Sequence, residues 1–359
     1  MSFECSKLLR EHFLSYYLLI MRWSTGWSEI SHLLPTPASE DVVQVVVSEF
    51  LRAEVTTCAE STLRKIIQKI QAGYNATAYH NFVHATHVFL GTVILLQNST
   101  IAWTRVEKAA LIFTAIVHDL GHQGVPNVQL VKENDPLAVK FENISVAENY
   151  SYEAAMALLA AGDCNIFADF AVDEITLFRS LCRDILLCTD IADGAAIKRL
   201  YSGVADMLAA GTAAGAGGID GVVKFDATNQ SNRCRALCLM MKLSDVGAPL
   251  QELSTALCWA HQYFDENSAA HANGRGNALD FAAFQTGQIG FFDHYLFHVI
   301  EVAASTGALT PAVTDAMTEN LNIYKAYWVE NAGTGGGLLE TWSREFAAKQ
   351  SQSQSQSQS

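Results

Sequence analysis

Val106-Glu107-Lys108-Ala109-Ala110-Leu111-Ile112-Phe113-Thr114-Ala115-Ile116-Val117 runs directly into His118-Asp119-Leu120-Gly121-His122. The apolar positions of the first part recur at the three- and four-residue spacing of an α-helix. The second part, from His118 to His122, is unusual. A carboxylate is disfavoured at the negative end of a helix dipole, so an exposed helix terminus explains Asp119 poorly. Burying an adjacent His-Asp pair is costly unless its charge is compensated. A divalent cation supplies that compensation, because neutral imidazole together with carboxylate suits zinc, iron, manganese or magnesium.

The same helical spacing extends outward over Val42 to Ile70, His84 to Leu96, Ile144 to Leu159, Asp173 to Leu187, Cys234 to Leu243 and Leu250 to Phe264. The six prolines fall at the edges of such stretches, and no long alternating strand pattern occurs. The expected fold class is therefore all-α. Gly211 to Gly221 and Gly333 to Gly337 read as loops, and Gln350–Ser359, an alternation of Gln and Ser, reads as a disordered tail. No linker divides the remainder, so residues 1–349 are expected to form one helical domain, with its motif-bearing core at about 74–330.

Of the 359 residues, 50% are hydrophobic and 17% charged, enough for a large core and incompatible with general disorder. The net charge of −14 disfavours nucleic acid and anionic membrane surfaces as partners. No segment has the roughly 18 consecutive apolar residues of a membrane span. The first residues carry charges where a secretory signal would be apolar. The eight cysteines form no CxxC pair, so reduced thiols and a cytoplasmic location are expected.

Histidines average one per 33 residues, yet residues 80–122 hold five: His80, His84, His87, His118 and His122. Single histidines are usually ordinary hydrogen-bonded residues, but five together point to a site. Four residues apart on a helix, His80 and His84 share a face and can enter one cavity, with His87 near it. A His…His-Asp…Asp metal site then needs one more carboxylate downstream. Asp245, at the end of the apolar segment Cys234–Leu243, is the leading choice.

The pieces Tyr79-His80-Asn81 with His84-Ala85, His118-Asp119-x-x-His122-x-Gly124-x-x-Asn127, Ser145-Val146-Ala147-Glu148-Asn149, Thr189-Asp190, Lys242 to Pro249 and Gln288 to Asp293 come in one order. In that order the chain resembles the catalytic domain of class I 3′,5′-cyclic nucleotide phosphodiesterases. The resemblance implies a compact helical domain in which His84, His118, Asp119 and Asp245 hold zinc. Asp119 and a bridging hydroxide would link the zinc to a second divalent ion, usually magnesium, with manganese as an alternative. By motif position, His80 is the general acid to the departing 3′-oxygen, while Glu148 and His122 act on metal-bound water. Gln288 reads the purine edge, Phe291 stacks on the base, and Tyr263 with Tyr79 lines the opposite wall. Locally, two cations carry +4 against −2 from the aspartates, which reverses the bulk sign for one small phosphate diester.

The departures from the family pattern mark a divergent, protozoan-like member. Gly121 replaces a usual aspartate and Gln123 a proline; His87 replaces an aspartate; Tyr150-Ser151 replaces a His-His pair. Ala248 stands where adenine-preferring members often carry asparagine, so the expected substrates are cAMP and also cGMP. Two alternatives differ in class: another HD-type nucleotide phosphohydrolase, or an inactive nucleotide-binding regulatory module. Regulatory domains are expected to lie outside this chain, which reads as a catalytic fragment.

Overall fold

The computed structural model describes residues 47–48, 51–52, 56–191, 226–277 and 281–331. All regular elements among them are helical: α1 (Glu60–Ala72), α2 (Phe82–Gln97), α3 (Arg105–Val117), α4 (Asn127–Glu133), α5 (Pro136–Lys140), α6 (Val146–Ala160) and α7 (Val172–Leu187). They continue with α8 (Gln230–Asp245), a 3₁₀ turn at Ala248–Leu250, α9 (Leu253–Ala272), α10 (Phe281–Phe291), a π-helical turn at Phe292–Leu296, α11 (Phe297–Thr306) and α12 (Pro311–Glu330). The expectation of an all-α fold holds for these residues. The glycine-rich segments 211–221 and 333–337, the Gln/Ser tail and most of Val42–Ser48 lie outside them.

Local chemistry sets the helix starts near the site. Asn81 caps α2 by accepting from the backbone N–H groups of Val83 and His84, at 2.9 and 3.1 Å. Thr104 and Glu107 form a reciprocal capping box on α3. Glu107 then turns inward, buried, to pair with Arg233 of α8 at 2.5 Å. Because α2 is buried continuously from His84 to Leu95, it has no solvent face and can only be central. α3 packs on α2 and α7, and α8 on α2 and α7, so the helix ends bearing His84, His118-Asp119 and Asp245 converge. α9, α10 and α12 close the other side around the fully buried Tyr324 and Trp328.

Two sequence expectations change. The Val42–Ile70 periodicity does not give one helix, because Thr56 leaves the helical path. Its hydroxyl donates to the Ile166 carbonyl at 2.9 Å and accepts from the Cys58 N–H at 3.1 Å. Such local side-chain bonding competes with helix continuation. In addition, α10 to α12 extend regular structure well beyond Phe264; Gly287 and Gly290 dilute the periodicity of α10.

Candidate active site

Four side chains predicted from sequence meet where α2, α3 and α8 converge. One ligand atom from each of His84, His118, Asp119 and Asp245 lies within 4.8 Å of every other. His84 Nε2 is 3.3 Å from Asp245 Oδ1 and 3.6 Å from Asp119 Oδ2. His118 Nε2 is 3.0 Å from Asp119 Oδ2 and 3.2 Å from Asp245 Oδ1. His118 Nδ1 faces the Ala115 carbonyl at 3.0 Å, which fixes the tautomer and aims the Nε2 lone pair at the carboxylates. Yet His118 Nε2 and Asp119 Oδ2 are buried without a hydrogen-bond partner. Buried polar atoms that close and still unsatisfied converge on a common centre rather than on each other.

The electrostatics agree. Burial opposes charge on Asp119, but His118 beside it holds the carboxyl well below its ordinary range. Likewise, burial works against the His118 cation, and Asp119 with Asp245 hold it well above its ordinary value. A divalent cation would take over the role of that proton, and two imidazoles plus two carboxylates suit one. The donor set fits a metal.

A second group adjoins the first. His80 Nδ1 pairs with Glu266 Oε1, and His122 completes a three-residue set within 4.8 Å. Glu266 Oε2 also accepts from the backbone N–H of Tyr79 at 2.8 Å and of His80 at 2.9 Å. Burial lowers His80, but the carboxylates of Asp119 and Glu266 outweigh it and leave the imidazole above its ordinary value. Burial raises Glu266, yet His80 brings it down to about 2. His122 lies against His80, ring centroids 3.9 Å apart, and burial with that neighbour lowers it to about 4. Two adjacent imidazoles thus differ in charge preference. Sequence reasoning missed Glu266. Its signal was present in α9, where Trp259, Tyr263 and Glu266 fall at i, i+4 and i+7, on one face.

Glu148 enters from α6. Asn127 Nδ2 donates to its Oε2 at 2.8 Å and stands 3.4 Å from Asp190 Oδ2, while Ser145 Oγ donates to Asp190 at 2.8 Å. Ser145 sits in the left-handed region, φ 39°, to deliver that hydroxyl. Burial, helped by Asp190, raises Glu148 to about 7. A folded-state value above the ordinary 4.5 means that the folded protein binds the proton more tightly. Glu148's contribution to stability is then full below pH 4.5 and lost as pH rises through about 7. In chelator-treated protein, Glu148→Gln is therefore expected to gain about 3 kcal/mol over wild type at pH 8 but only about 1 kcal/mol at pH 5. Unfolding curves at the two pH values check it; an equal gain at both would remove Glu148 as the titrating group.

The departures noted in the sequence have a geometry of their own. Gly121 adopts φ +76°, and a Cβ there would collide with the Tyr150 ring. The glycine and the tyrosine thus replace the usual residues as a coupled pair.

His80, Asp119, His122, Glu148, Asp245 and Glu266 line one cavity of about 540 Å³, which Trp259, Tyr263, Phe284, Gln288 and Phe291 also line. Tyr79 lies between two of these groups: its ring is 4.7 Å from His84 and 5.5 Å from Tyr263. Tyr263 leans toward Phe284, at 6.3 Å, and Phe291 stacks on Tyr295, at 5.0 Å and 18°. Gln285 commits its amide to the Trp328 carbonyl at 2.5 Å, whereas Gln288, one turn on, lines the cavity.

Known proteins resemble this chain in sequence and fold. A protein of Caenorhabditis elegans named as a probable 3′,5′-cyclic-AMP phosphodiesterase is 24% identical over 292 residues, covering 78% of this chain and 42% of that protein. The 3′,5′-cyclic-AMP phosphodiesterase 4C of Rattus norvegicus is 26% identical over 248 residues, 66% of this chain and 44% of that protein. The chain spans less than half the length of these curated relatives. The crystal structure of the phosphodiesterase domain of the RhoPDE fusion protein from the choanoflagellate Salpingoeca rosetta shares the fold, with a TM-score of 0.72 at 24% identity over 84% of this chain and 94% of that one. The profile of the 3′,5′-cyclic nucleotide phosphodiesterases matches residues 79–319, two thirds of the chain. That span runs from Tyr79 through both histidine clusters and past Gln288 and Phe291, and with it the chain belongs to the 3′,5′-cyclic nucleotide phosphodiesterase family.

Proposed function

We propose that this protein hydrolyses 3′,5′-cyclic nucleotides, cAMP and also cGMP, to 5′-monophosphates. The observation that carries the reading is that the two carboxylates of a two-imidazole, two-carboxylate set and the His80–Glu266 pair line the same cavity as Gln288 and Phe291. His84, His118, Asp119 and Asp245 would hold zinc, and Asp119 would also face a second divalent ion, magnesium or manganese. When bound, such a pair of ions acidifies a water into a nucleophile and neutralises phosphate oxygens.

The chain's own residues do the rest. With Nδ1 fixed by Glu266, His80 keeps a proton on Nε2 for the departing 3′-oxygen, which leaves poorly as an alkoxide. Glu148 and His122 orient water at the cavity floor. Gln288 offers a donor and an acceptor side by side, matching adenine in one amide orientation and guanine in the other. Phe291, Tyr263 and Tyr79 give the base apolar walls. Ala248 contributes only a methyl group, which supports tolerance of both purines. A cytoplasmic site of action belongs to the same reading and rests on the absence of any CxxC pair among the eight cysteines. No helix among the described residues is long and apolar enough to cross a membrane.

Steady-state hydrolysis of cAMP and cGMP, side by side with zinc and magnesium supplied, tests the proposal. The expected products are AMP and GMP phosphorylated at the 5′ position. Turnover of phosphomonoesters alone would favour another HD-type phosphohydrolase, and nucleotide binding without turnover an inactive regulatory module. Gln288→Ala is expected to raise KM for both nucleotides about tenfold or more, as a lost bidentate hydrogen bond does, with metal content unchanged. An unaltered KM for both would take Gln288 out of the pocket.

Glu266→Gln addresses the proton. Removing that charge lowers the His80 pKa, so the protonated acid is lost at lower pH and the alkaline limb of the kcat profile moves down. kcat itself is expected to fall about 10- to 100-fold, the usual effect of losing an orienting carboxylate. An unmoved limb would assign Glu266 a purely structural role.

A further inference from the structure

Lys242 is 1% exposed, on α8 one turn before Asp245. A buried ammonium is expensive unless partnered, and no carboxylate pairs with it among the described residues. Its partners are instead a carbonyl of the cavity wall and a ring stacked on another wall residue, Phe291. Nζ donates to the Thr189 carbonyl at 3.2 Å and lies 5.6 Å from the centroid of the Tyr295 ring. Thr189 precedes Asp190, the acceptor of Ser145 and neighbour of Asn127 beside Glu148. Tyr295 stacks in parallel on Phe291.

The Tyr295 ring also packs against the hydrophobic core. Its hydroxyl is buried without a hydrogen-bond partner, so packing, including Phe291 and Lys242 at the ring, fixes it rather than its oxygen. It stands on the π-helical turn Phe292–Leu296 that begins directly after Phe291, a local widening that recurs at functional sites. A cation over one aromatic face strengthens as water is excluded.

We propose that Lys242 is a positioning residue that braces the Thr189–Asp190 corner and, through Tyr295, the Phe291 ring, so that the water-orienting and base-stacking walls keep one spacing. The kinetic half of this inference rests on the reading of Phe291 as the base wall; the structural half does not.

Lys242→Met, of similar length and apolar, is expected to fold: it removes a buried ammonium that no carboxylate compensates, at the modest cost of one donor to the Thr189 carbonyl. In hydrogen exchange, it should speed exchange in peptides covering residues 186–191 and 289–296 together, while Tyr295→Leu speeds only the second. For cAMP, Lys242→Met should raise KM on the order of tenfold and lower kcat as well, since small misplacements of a site have large kinetic effects. Lys242→Arg, which keeps cation and donor, should recover most of both. Tyr295→Leu should raise KM more than it lowers kcat, and the double variant should have the KM of Lys242→Met alone. Unchanged exchange in either segment for Lys242→Met, exchange raised throughout the chain, or KM factors that multiply in the double variant would each overturn the brace. If the wild-type protein turns over no cyclic nucleotide, the function reading falls, and the exchange data still decide Lys242.

Discussion

His80→Ala is expected to lower kcat by about 10²- to 10⁴-fold, the range for loss of a positioned general acid, with metal content at the wild-type level. The reason is where His80 stands. It is not one of the four convergent residues; its Nδ1 is occupied by Glu266, and only Nε2 is free to serve the cavity. A buried carboxylate and two backbone N–H groups are committed to holding this one imidazole and its preceding residue in place. Without the imidazole, the departing 3′-oxygen must leave without a donated proton. A thio-substituted leaving group, which needs no proton, should therefore be cleaved by His80→Ala with a much smaller loss. Metal analysis and the two substrates together check the assignment. Loss of metal in the variant, or equal losses on both substrates, would show that His80 does something else.

Asp245→Ala removes the contact shared by both histidines, 3.3 Å from His84 Nε2 and 3.2 Å from His118 Nε2. Even an outer carboxylate is worth 10- to 100-fold in metal affinity, so a direct ligand should be worth at least about 100-fold. The readout is stability as well as rate. With zinc at 100 times the wild-type Kd, wild type gains about 2.7 kcal/mol from binding; a 100-fold weaker variant gains only about 0.4. Unfolding with and without zinc measures the difference, and turnover should fall in parallel. A variant that remains fully metallated and active would remove Asp245 from the ligand set.

How far the sequence led differs from element to element. The helices around the site were legible because α2, α3 and α8 carry enough apolar side chains to be central wherever they pack. The four convergent residues were legible because two of them are adjacent, His118 and Asp119, and each of the others stands near an end of a strongly apolar helix. The break at Thr56 was not legible, since it depends on a carbonyl 110 residues away, and α10 to α12 were hidden by glycines and a mixed periodicity.

By itself, the sequence determined the helical class, the histidine clusters and the identity of the residues that meet between α2, α3 and α8. The helical class rests on apolar spacing within each segment, and the clusters on residue types close in the chain. His80, read from its spacing to His84 as sharing a helix face, instead precedes the Asn81 cap of α2. The tertiary structure alone decided that Glu266 orients His80 across 186 residues, that Tyr150 takes the space above Gly121, and that Lys242 reaches Thr189 and Tyr295 at once. Each of these pairs side chains from different segments, and the direction in which a side chain meets another segment is fixed by how the helices pack, not by the period within either one.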